Sequence, residues 1–397
     1  MLPIMASPAI SRWSRRYILF GVLSLLLWHL AVLMDVPNRT HIVLALFGFV
    51  LHVVFGKAYS LIPSYFDREL AHPSLLGAQF PLTVGGTLAL AVAPDPKTPE
   101  FIGPLGAALW AVGIFLFVGH LAWTIRDNLS GAETATGGVN APRARIDRIS
   151  NAFVPIALAY LVFGSYETIA AYGTVPSIFD GYLPRTTHLL GAGTATLLVF
   201  AIGFRLLPRF LRAHPPRVLV YIVLPAGAVG PALLAVGIPS GGWLVLGGIV
   251  QAIAVGGYAV VIGILFARSP HDRIALYAVL AGAVVGVAAV GIGIWFAFVG
   301  LDAGLIAAHQ RLTLIGFLGL TIIGVSLQFY PPNVGEWIGS EDRTAAVVIL
   351  LITFGIIAQA VGLAVPHDGI ERAGVFVSGC GACLYGYLIL SAFATRR

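Results

Sequence analysis

The sequence predicts an all-α integral membrane protein, with twelve transmembrane helices in a pseudo-threefold arrangement of four-helix repeats. Three observations predict this fold: the composition, the recurrence of long apolar runs, and a histidine pattern that occurs three times. Of 397 residues, 58% are hydrophobic and 10% are charged, whereas soluble domains carry roughly 25% charged residues. The mean hydropathy is +0.92, so a lipid bilayer is the solvent that suits this chain. Soluble enzymes, nucleic-acid binders and disordered chains are therefore excluded.

Apolar stretches of at least about eighteen residues mark the spans. They cover residues 17–34, 41–63, 74–93, 101–124, 152–172, 186–207, 217–237, 242–267, 273–299, 303–331, 344–365 and 372–393. We expect one transmembrane domain over 1–397, with repeat units at 17–124, 152–267 and 273–393. The longest polar stretch, 125–149, is predicted to be a cytoplasmic linker, because it combines small polar residues with arginines.

The basic residues predict the orientation. An even number of spans puts both termini on one side, and eighteen of the 23 Lys and Arg residues fall at that face. This positive-inside pattern predicts a multi-pass protein of the plasma membrane with both termini in the cytoplasm. Arg15 and Arg16 before an apolar run also resemble a twin-arginine export signal. Because no small-residue cleavage site follows them, a retained first helix is the better interpretation.

One pattern occurs in the second, sixth and tenth spans. His41 and His309 are each followed by glycine at +7 and +15 and by proline at +22. His188 begins a looser copy, in which alanine, glycine and proline lie at +7, +15 and +20. All three copies begin at the outer face, so the repeats are parallel. Many secondary transporters use inverted repeats instead, which disfavours a carrier.

Histidines inside spans usually face the bundle interior and often mark function. Three of them lie at equivalent heights on equivalent helices, as a metal or heme site requires, and are the candidate metal ligands: His41, His188 and His309. His29 and His120 are interpreted as packed side chains. For His52, eleven residues past His41, a buried polar packing role is favoured over a second site.

The glycines at +7, Gly48 and Gly316, lie about 20° from the face of their histidine on an α-helix. They offer a smooth strip over which a macrocycle ligated by the histidine can lie. Helix packing through small residues explains the same glycines without a cofactor. Both interpretations remain open at this point.

These features resemble the catalytic subunit of heme-copper oxidases and nitric oxide reductases. That family has twelve helices in three arcs of four, with ligand histidines on helices 2, 6 and 10. The segment from His41 to Pro63 resembles its second helix, whose histidine ligates the low-spin heme. His309 through Pro331 resembles its tenth helix, and His188 occupies the place of the sixth-helix copper ligand. Membrane proteins of the nitric-oxide-response NnrS type are an alternative relative.

The departures from the family pattern concern the metals. The His-x-His motif of the tenth helix is His309-Gln310-Arg311 here, and 217–237 lacks the two histidines that should bind copper. The resemblance therefore implies one b-type heme, with a second one not excluded, and no copper. Oxygen reduction at a heme-copper pair is not expected, and whether the protein is an enzyme stays open.

His309 is the expected iron ligand, because it has the strict spacing and the best match to the family. His41 and His188 compete for the second axial position. The shared glycine and proline spacing favours His41. Ligation in the alternative register would turn the open face of the iron toward His188 and leave it able to bind nitric oxide or carbon monoxide.

Several other polar groups lie inside or beside the spans. Arginine suits the two carboxylates of heme propionates, and the candidates beside the repeat histidines are Arg39, Arg185 and Arg311. The alternative for these three is snorkelling to the interface. Glu167 is expected to pair with an arginine or to titrate. Lys57 and Tyr59 fit the start of a proton path or, for Lys57, snorkelling. Cys380 and Cys383 are interpreted as small packing residues.

The sequence thus predicts a heme-binding membrane protein that acts in electron transfer, or in sensing or handling a diatomic gas such as nitric oxide. Its expected partners are membrane lipid and a redox protein or subunits of a respiratory complex, and nucleic acid is not among them. The competing hypothesis is a non-heme membrane carrier or a structural subunit of a respiratory assembly. Fold by itself establishes neither activity.

Overall fold

The computed structural model describes residues 8–173 and 175–395, which are helical with no strand among them. Twelve of their helices are long and apolar enough to cross a membrane, so the prediction of an all-α membrane protein is confirmed. In chain order these are α1 (Pro8–Leu33), α2 (Asn38–Tyr65), α3 (Leu75–Val92), α4 (Ile102–Thr124), α5 (Gly138–Ala170), α6 (Leu183–Phe210), α7 (Arg217–Gly237), α8 (Gly242–Ala267), α9 (Ile274–Phe298), α10 (Ala303–Val334), α11 (Asp342–Ala364) and α12 (Asp368–Thr395). The threefold arrangement of four-helix repeats stays a prediction.

Two helices begin at least eight residues earlier than the sequence predicts. Helix α1 starts at Pro8, so the arginine-rich segment before the apolar run is already helical. Regular α-helix in α5 starts at Ala144, inside the predicted linker 125–149. A hydropathy criterion misses both starts, because it detects the stretch that suits hydrocarbon and not the polar turns that extend a helix beyond it.

The start of α5 is held by a buried ionic cluster. Asp147, only 1% exposed, accepts hydrogen bonds from Arg209 at 2.5 Å and from Thr136 of the linker at 2.6 Å. The Arg205 guanidinium lies 3.7 Å from the same carboxylate and also donates to the Thr134 carbonyl. The cluster therefore ties the linker to α5 and α6, and it compensates the cost of burying these charges.

Helices α2, α6 and α10 form the centre of the bundle. In each of these three, 89, 83 and 78% of an apolar eighteen-residue window is buried, against 39 to 61% in the other nine spans. The remaining helices surround them, so side chains on α2, α6 and α10 face protein on nearly all sides. These are also the three helices that carry the histidine pattern.

Each central helix contains a π-helical segment that begins one to three residues after its histidine. The segments are Val43–Leu51 in α2, Leu189–Thr196 in α6 and Leu312–Gly319 in α10, and all three contact one another. A π-helix pairs each carbonyl with the amide five residues on, and such segments are rare and occur frequently at functional sites. The centre of the molecule is thus built from an unusual backbone, with the histidines at one end of it.

The outer helices pack in close antiparallel pairs through glycine. At the α3–α4 contact, a Cβ atom on Gly86 would lie 2.5 Å from the backbone nitrogen of Trp110. At the α11–α12 contact, a Cβ on Gly355 would lie 2.5 Å from the backbone nitrogen of Ser378. Small residues drive helix association in lipid because they let two backbones approach. These helix pairs pack around the central helices.

Candidate functional site

The imidazole rings of His188 and His309 face each other between α6 and α10. Their centroids are 6.3 Å apart and their planes are 15° from parallel. The Nδ1 atom of His188 bonds to the Pro184 carbonyl at 2.8 Å, and that of His309 to the Ala289 carbonyl at 2.8 Å. Both residues are half-buried.

These hydrogen bonds determine the chemistry of the two rings. A carbonyl oxygen only accepts, so Nδ1 carries the proton in each neutral ring and Nε2 keeps its lone pair. This second-shell bond is the one that metal-ligating histidines usually make. A metal–imidazole bond is about 2 Å long and the ring centroid lies about 1 Å further, so two ligands of one metal have centroids about 6 Å apart. The observed separation of the centroids, 6.3 Å, agrees with that distance.

The pair has no further protein ligand of the usual kind. Over residues 8–173 and 175–395, no group of three or more His, Cys, Asp or Glu side chains is placed to hold a metal ion. Borderline divalent metals require three or four protein ligands. A metal between His188 and His309 must therefore bring most of its ligands with it, as the iron of heme does with its four porphyrin nitrogens.

His41 lies in a different place from this pair. It lines a small pocket of about 10 Å³ between α1, α2 and α10, with Trp28, Asn38 and Arg311 among the other lining residues. Its Nε2 atom is buried and has no hydrogen-bond partner among the described residues. The structure therefore brings His188 to His309, whereas spacing along the sequence favours His41.

Two of the three candidate arginines are occupied by protein groups. Arg185 donates to the carbonyls of Ala235 and Ile238 and to Asp180 at 2.9 Å. The backbone amide of Tyr182 and the Arg185 guanidinium both stabilise the Asp180 carboxylate, so the pKa of Asp180 lies below its usual value. Arg185 thus fastens the loop before α6 to the end of α7.

Arg311 is occupied in a similar way. It pairs with Glu371 of α12 at 2.6 Å and donates to the Gln359 side chain of α11 at 3.1 Å. Gln359 in turn donates to Ser378, whose hydroxyl lies 3.1 Å from His29 Nε2. Arg311 therefore belongs to a polar chain that joins α10, α11, α12 and α1.

Arg39 differs from the other two. Its Nη1 donates to the Thr187 hydroxyl at 3.1 Å, one residue before His188. Its Nε and Nη2 are buried and have no hydrogen-bond partner among the described residues. A buried guanidinium left with open donors is costly, and an anion is the group that best satisfies it. Arg39 is therefore the candidate for an anionic ligand beside the histidine pair.

The two glycines lie against neighbouring helices. A Cβ on Gly48 would lie 2.6 Å from the Cβ of Ser24 in α1, and a Cβ on Gly316 would lie 2.5 Å from Val285 Cγ1 in α9. Both contacts are too close for any larger residue without movement. Small-residue helix packing, one of the two interpretations left open by the sequence, accounts for both positions.

The remaining histidines of the spans are held by the protein. His29 uses both ring nitrogens, bonding to the Leu25 carbonyl and to Ser378, and His120 bonds to the Ala71 carbonyl. His52 bonds to the Phe47 carbonyl and lies among aromatic rings, with its Nε2 unpartnered. None of these three contacts the pair formed by His188 and His309 among the ring contacts of the described residues.

Glu167 finds hydrogen-bond donors and not the expected arginine. Its carboxylate accepts from the Ser177 hydroxyl at 2.7 Å and from the Ile178 amide at 2.8 Å. It makes no ion pair within the part of the chain that the structure describes. The loop after α5 thus satisfies the acid without a counter-charge.

Comparison of the chain with protein-family models gives no match, and comparison with curated proteins gives none either.

Proposed function

We propose that this protein is a b-type heme protein of the membrane, in which His188 and His309 would hold the heme iron. The observation that carries the proposal is the separation of 6.3 Å between two nearly parallel imidazoles. Each ring has its Nδ1 tied to a carbonyl and its Nε2 available. Heme is the metal group that needs only two protein ligands, so this donor pair suits it.

Arg39 supports the same proposal from the polar side. Heme carries two propionate carboxylates, and the open Nε and Nη2 donors of Arg39 are near the histidine pair through Thr187. A carboxylate there satisfies the guanidinium bidentately. Arg185 and Arg311 are engaged with protein acceptors, so we assign the anion contact to Arg39 alone.

Electron transfer is the activity that this ligand set supports best. When bound, heme would supply a one-electron redox centre, which the two imidazoles would hold. The chain's own contribution is to hold both rings parallel through their carbonyl bonds and to neutralise a propionate with Arg39. Binding or sensing of nitric oxide would require His188 to leave, which makes it the second candidate activity.

The wider arrangement is also part of the proposal. Three parallel repeats of the heme-copper-oxidase type would place α2, α6 and α10 at their common axis. In this chain the same three helices contain the π segments. We propose a plasma-membrane protein with cytoplasmic termini, without copper, that works with a redox partner protein or respiratory subunits. A non-heme carrier or structural subunit is the alternative.

A visible absorption spectrum of the purified, reduced protein tests the proposal. We expect a Soret band and an alpha band after expression with sufficient heme, and His309→Ala should abolish both. His29→Gln is the matched control, because both nitrogens of His29 are already bonded within the protein. Absence of both bands in the wild type, or full heme in folded His309→Ala, would refute the proposal.

A further inference from the structure

Seven arginines come together where α5 begins and α6 ends. They belong to residues 143–148 and 205–217, which contain a single acidic residue, Asp147. The two segments touch each other, since the Arg143 guanidinium donates to the Pro208 carbonyl at 3.4 Å. Apart from Asp147, every charged side chain of these segments is positive. This end of the bundle therefore carries a local excess of positive charge.

The one carboxylate is already engaged inside the bundle. Asp147 is 1% exposed and pairs with Arg209 at 2.5 Å and with Arg205 at 3.7 Å. The other five arginines are exposed or half-buried and make no ion pair with any residue that the structure describes; we call them the basic surface: Arg143, Arg145, Arg148, Arg212 and Arg217. A group of like charges without a counter-charge repels itself, so an anion would stabilise it.

Another arginine at the same end of the spans is neutralised by the protein. Arg68 bonds to Asp127 at 2.9 Å and to Glu133 at 2.6 Å. The positive-inside rule accounts for arginines at this end in general. It does not require five of them to gather without a carboxylate. The basic surface thus differs from the rest of this end in lacking a counter-charge from the chain.

The basic surface continues into an apolar stripe on α5. Five residues follow one another at intervals of three, four or seven and therefore share one face of the helix: Arg145, Arg148, Ala152, Ile156 and Phe163. All five are exposed. Arg148 lies about 6 Å before Ala152 along the axis, and Ala152 is where the predicted apolar span begins. The polar headgroups extend about 5–8 Å beyond the hydrocarbon on each side, so Arg148 lies at their level.

Helix α7 lies beside this stripe. Tyr160, between Ile156 and Phe163 on α5, donates to the Ala228 carbonyl of α7. Helix α7 also begins with an arginine of the basic surface, Arg217, and exposes apolar side chains directly after it, Val218 and Ile222 among them. Both helices start at the basic end, so each presents arginine first and apolar residues next to the surrounding lipid.

We propose that the basic surface binds the phosphate of an anionic phospholipid, whose acyl chain lies along the apolar stripe of α5 beside α7. Guanidinium groups pair bidentately with phosphate, and Arg145 and Arg148 lie one turn apart on the same face. A free phosphate would meet the arginines but not the stripe, so the continuity of the two favours a lipid. The proposed heme ligand His188 is at the other end of α6, so this site does not depend on heme.

Phosphatidylglycerol is a suitable probe, with phosphatidylcholine as the zwitterionic reference. Native mass spectrometry of the protein in detergent, titrated with each lipid, should show tighter binding of phosphatidylglycerol. Each arginine at the headgroup level adds about fivefold to the affinity for an anionic lipid. The double variant Arg145→Gln/Arg148→Gln should therefore bind phosphatidylglycerol roughly twentyfold more weakly and phosphatidylcholine as the wild type does.

The matched control is Arg268→Gln/Arg273→Gln, which removes the same charge from two exposed arginines at the same end of the spans. It should bind phosphatidylglycerol like the wild type. In nanodiscs, phosphatidylglycerol with a photoreactive acyl chain should label α5 and α7. Equal losses in both double variants, displacement of the lipid by millimolar inorganic phosphate, or labelling spread evenly over the lipid-facing helices would overturn the proposal. The heme bands are a separate readout.

Discussion

His188 and His309 lie with their ring planes 15° from parallel, and each is held by a carbonyl at its Nδ1 atom. The two carbonyls come from different places, Pro184 one turn earlier on α6 and Ala289 on the neighbouring helix α9. The two rings are therefore oriented by separate elements, and each uses its Nδ1 atom to bond a carbonyl. The predictions for the proposed heme site rest on this arrangement of the two rings.

Replacing His188 with Ala should convert a six-coordinate, low-spin heme into a five-coordinate, high-spin one. In the proposed site His188 supplies the second imidazole, so its loss should open one face of the iron. The spectrum of the reduced protein should change and carbon monoxide should bind. His41→Ala should leave the spin state unchanged, because His41 lines a separate pocket. A change of spin state in His41→Ala alone would show that His41 is the second ligand.

Arg39→Gln should weaken heme retention by about tenfold or more, since a hydrogen bond to a charged group contributes about 1.5–3 kcal/mol. The measurement is the rate of heme transfer to an excess of a heme-scavenging protein. Arg311→Gln is the control, because Arg311 already pairs with Glu371. It should lower the melting temperature and leave the transfer rate close to that of the wild type. Equal rates in both variants would contradict the special position of Arg39.

Asp147→Asn should destabilise the protein by about 3–5 kcal/mol, because it leaves Arg205 and Arg209 without the buried carboxylate. Unfolding in mixed detergent measures the loss, and limited proteolysis should cut the linker faster. Asp127→Asn is the matched control, since its pair with Arg68 is exposed and contributes less than about 1 kcal/mol. Equal stability of the two variants would argue against the cluster as the anchor of the linker.

Metal analysis of the purified protein should find iron and no stoichiometric copper. The chain lacks histidines in 217–237, and His188, the sixth-helix candidate, lies beside His309 and is proposed to bind the same metal. Copper would then have no set of three nitrogen ligands. One tightly held copper per heme would disprove this expectation and bring the protein closer to the heme-copper oxidases.

The twelve spans could be predicted from the sequence, because exclusion of polar residues from hydrocarbon acts on each segment by itself. Which side chains of different helices come together could not be predicted to the same degree. Sequence spacing treats His41 and His309 as equivalent, yet His309 points at α6 and at Ala289 of α9. That orientation depends on helix rotation, which neighbours determine. Likewise, nothing in the sequence separates Arg39 from Arg185, since the acceptors of Arg185 are carbonyls 50 or more residues away.

The surroundings of Tyr258 also could not be predicted from the sequence. Tyr258 stands in an apolar run without any repeat or motif around it. Tyr258 packs against Gly203, and its hydroxyl has no partner among the described residues. Both are properties of the assembled bundle. Lys57 carried a visible signal, because a lysine within a span is uncommon.

The π segments change how each central helix should be read on a helical wheel. With five-residue hydrogen bonding, residues in Val43–Leu51 no longer advance by the 100° of an α-helix, so the α-helical residues after the segment are out of phase with those before it. A return to α-helical winding there, with no residue removed, would rotate the Lys57 end by about 100° against the His41 end. Each π segment therefore changes the rotation of one end of its helix relative to the other. Once the histidine end is in place, the segment determines which neighbours the opposite end of the helix faces.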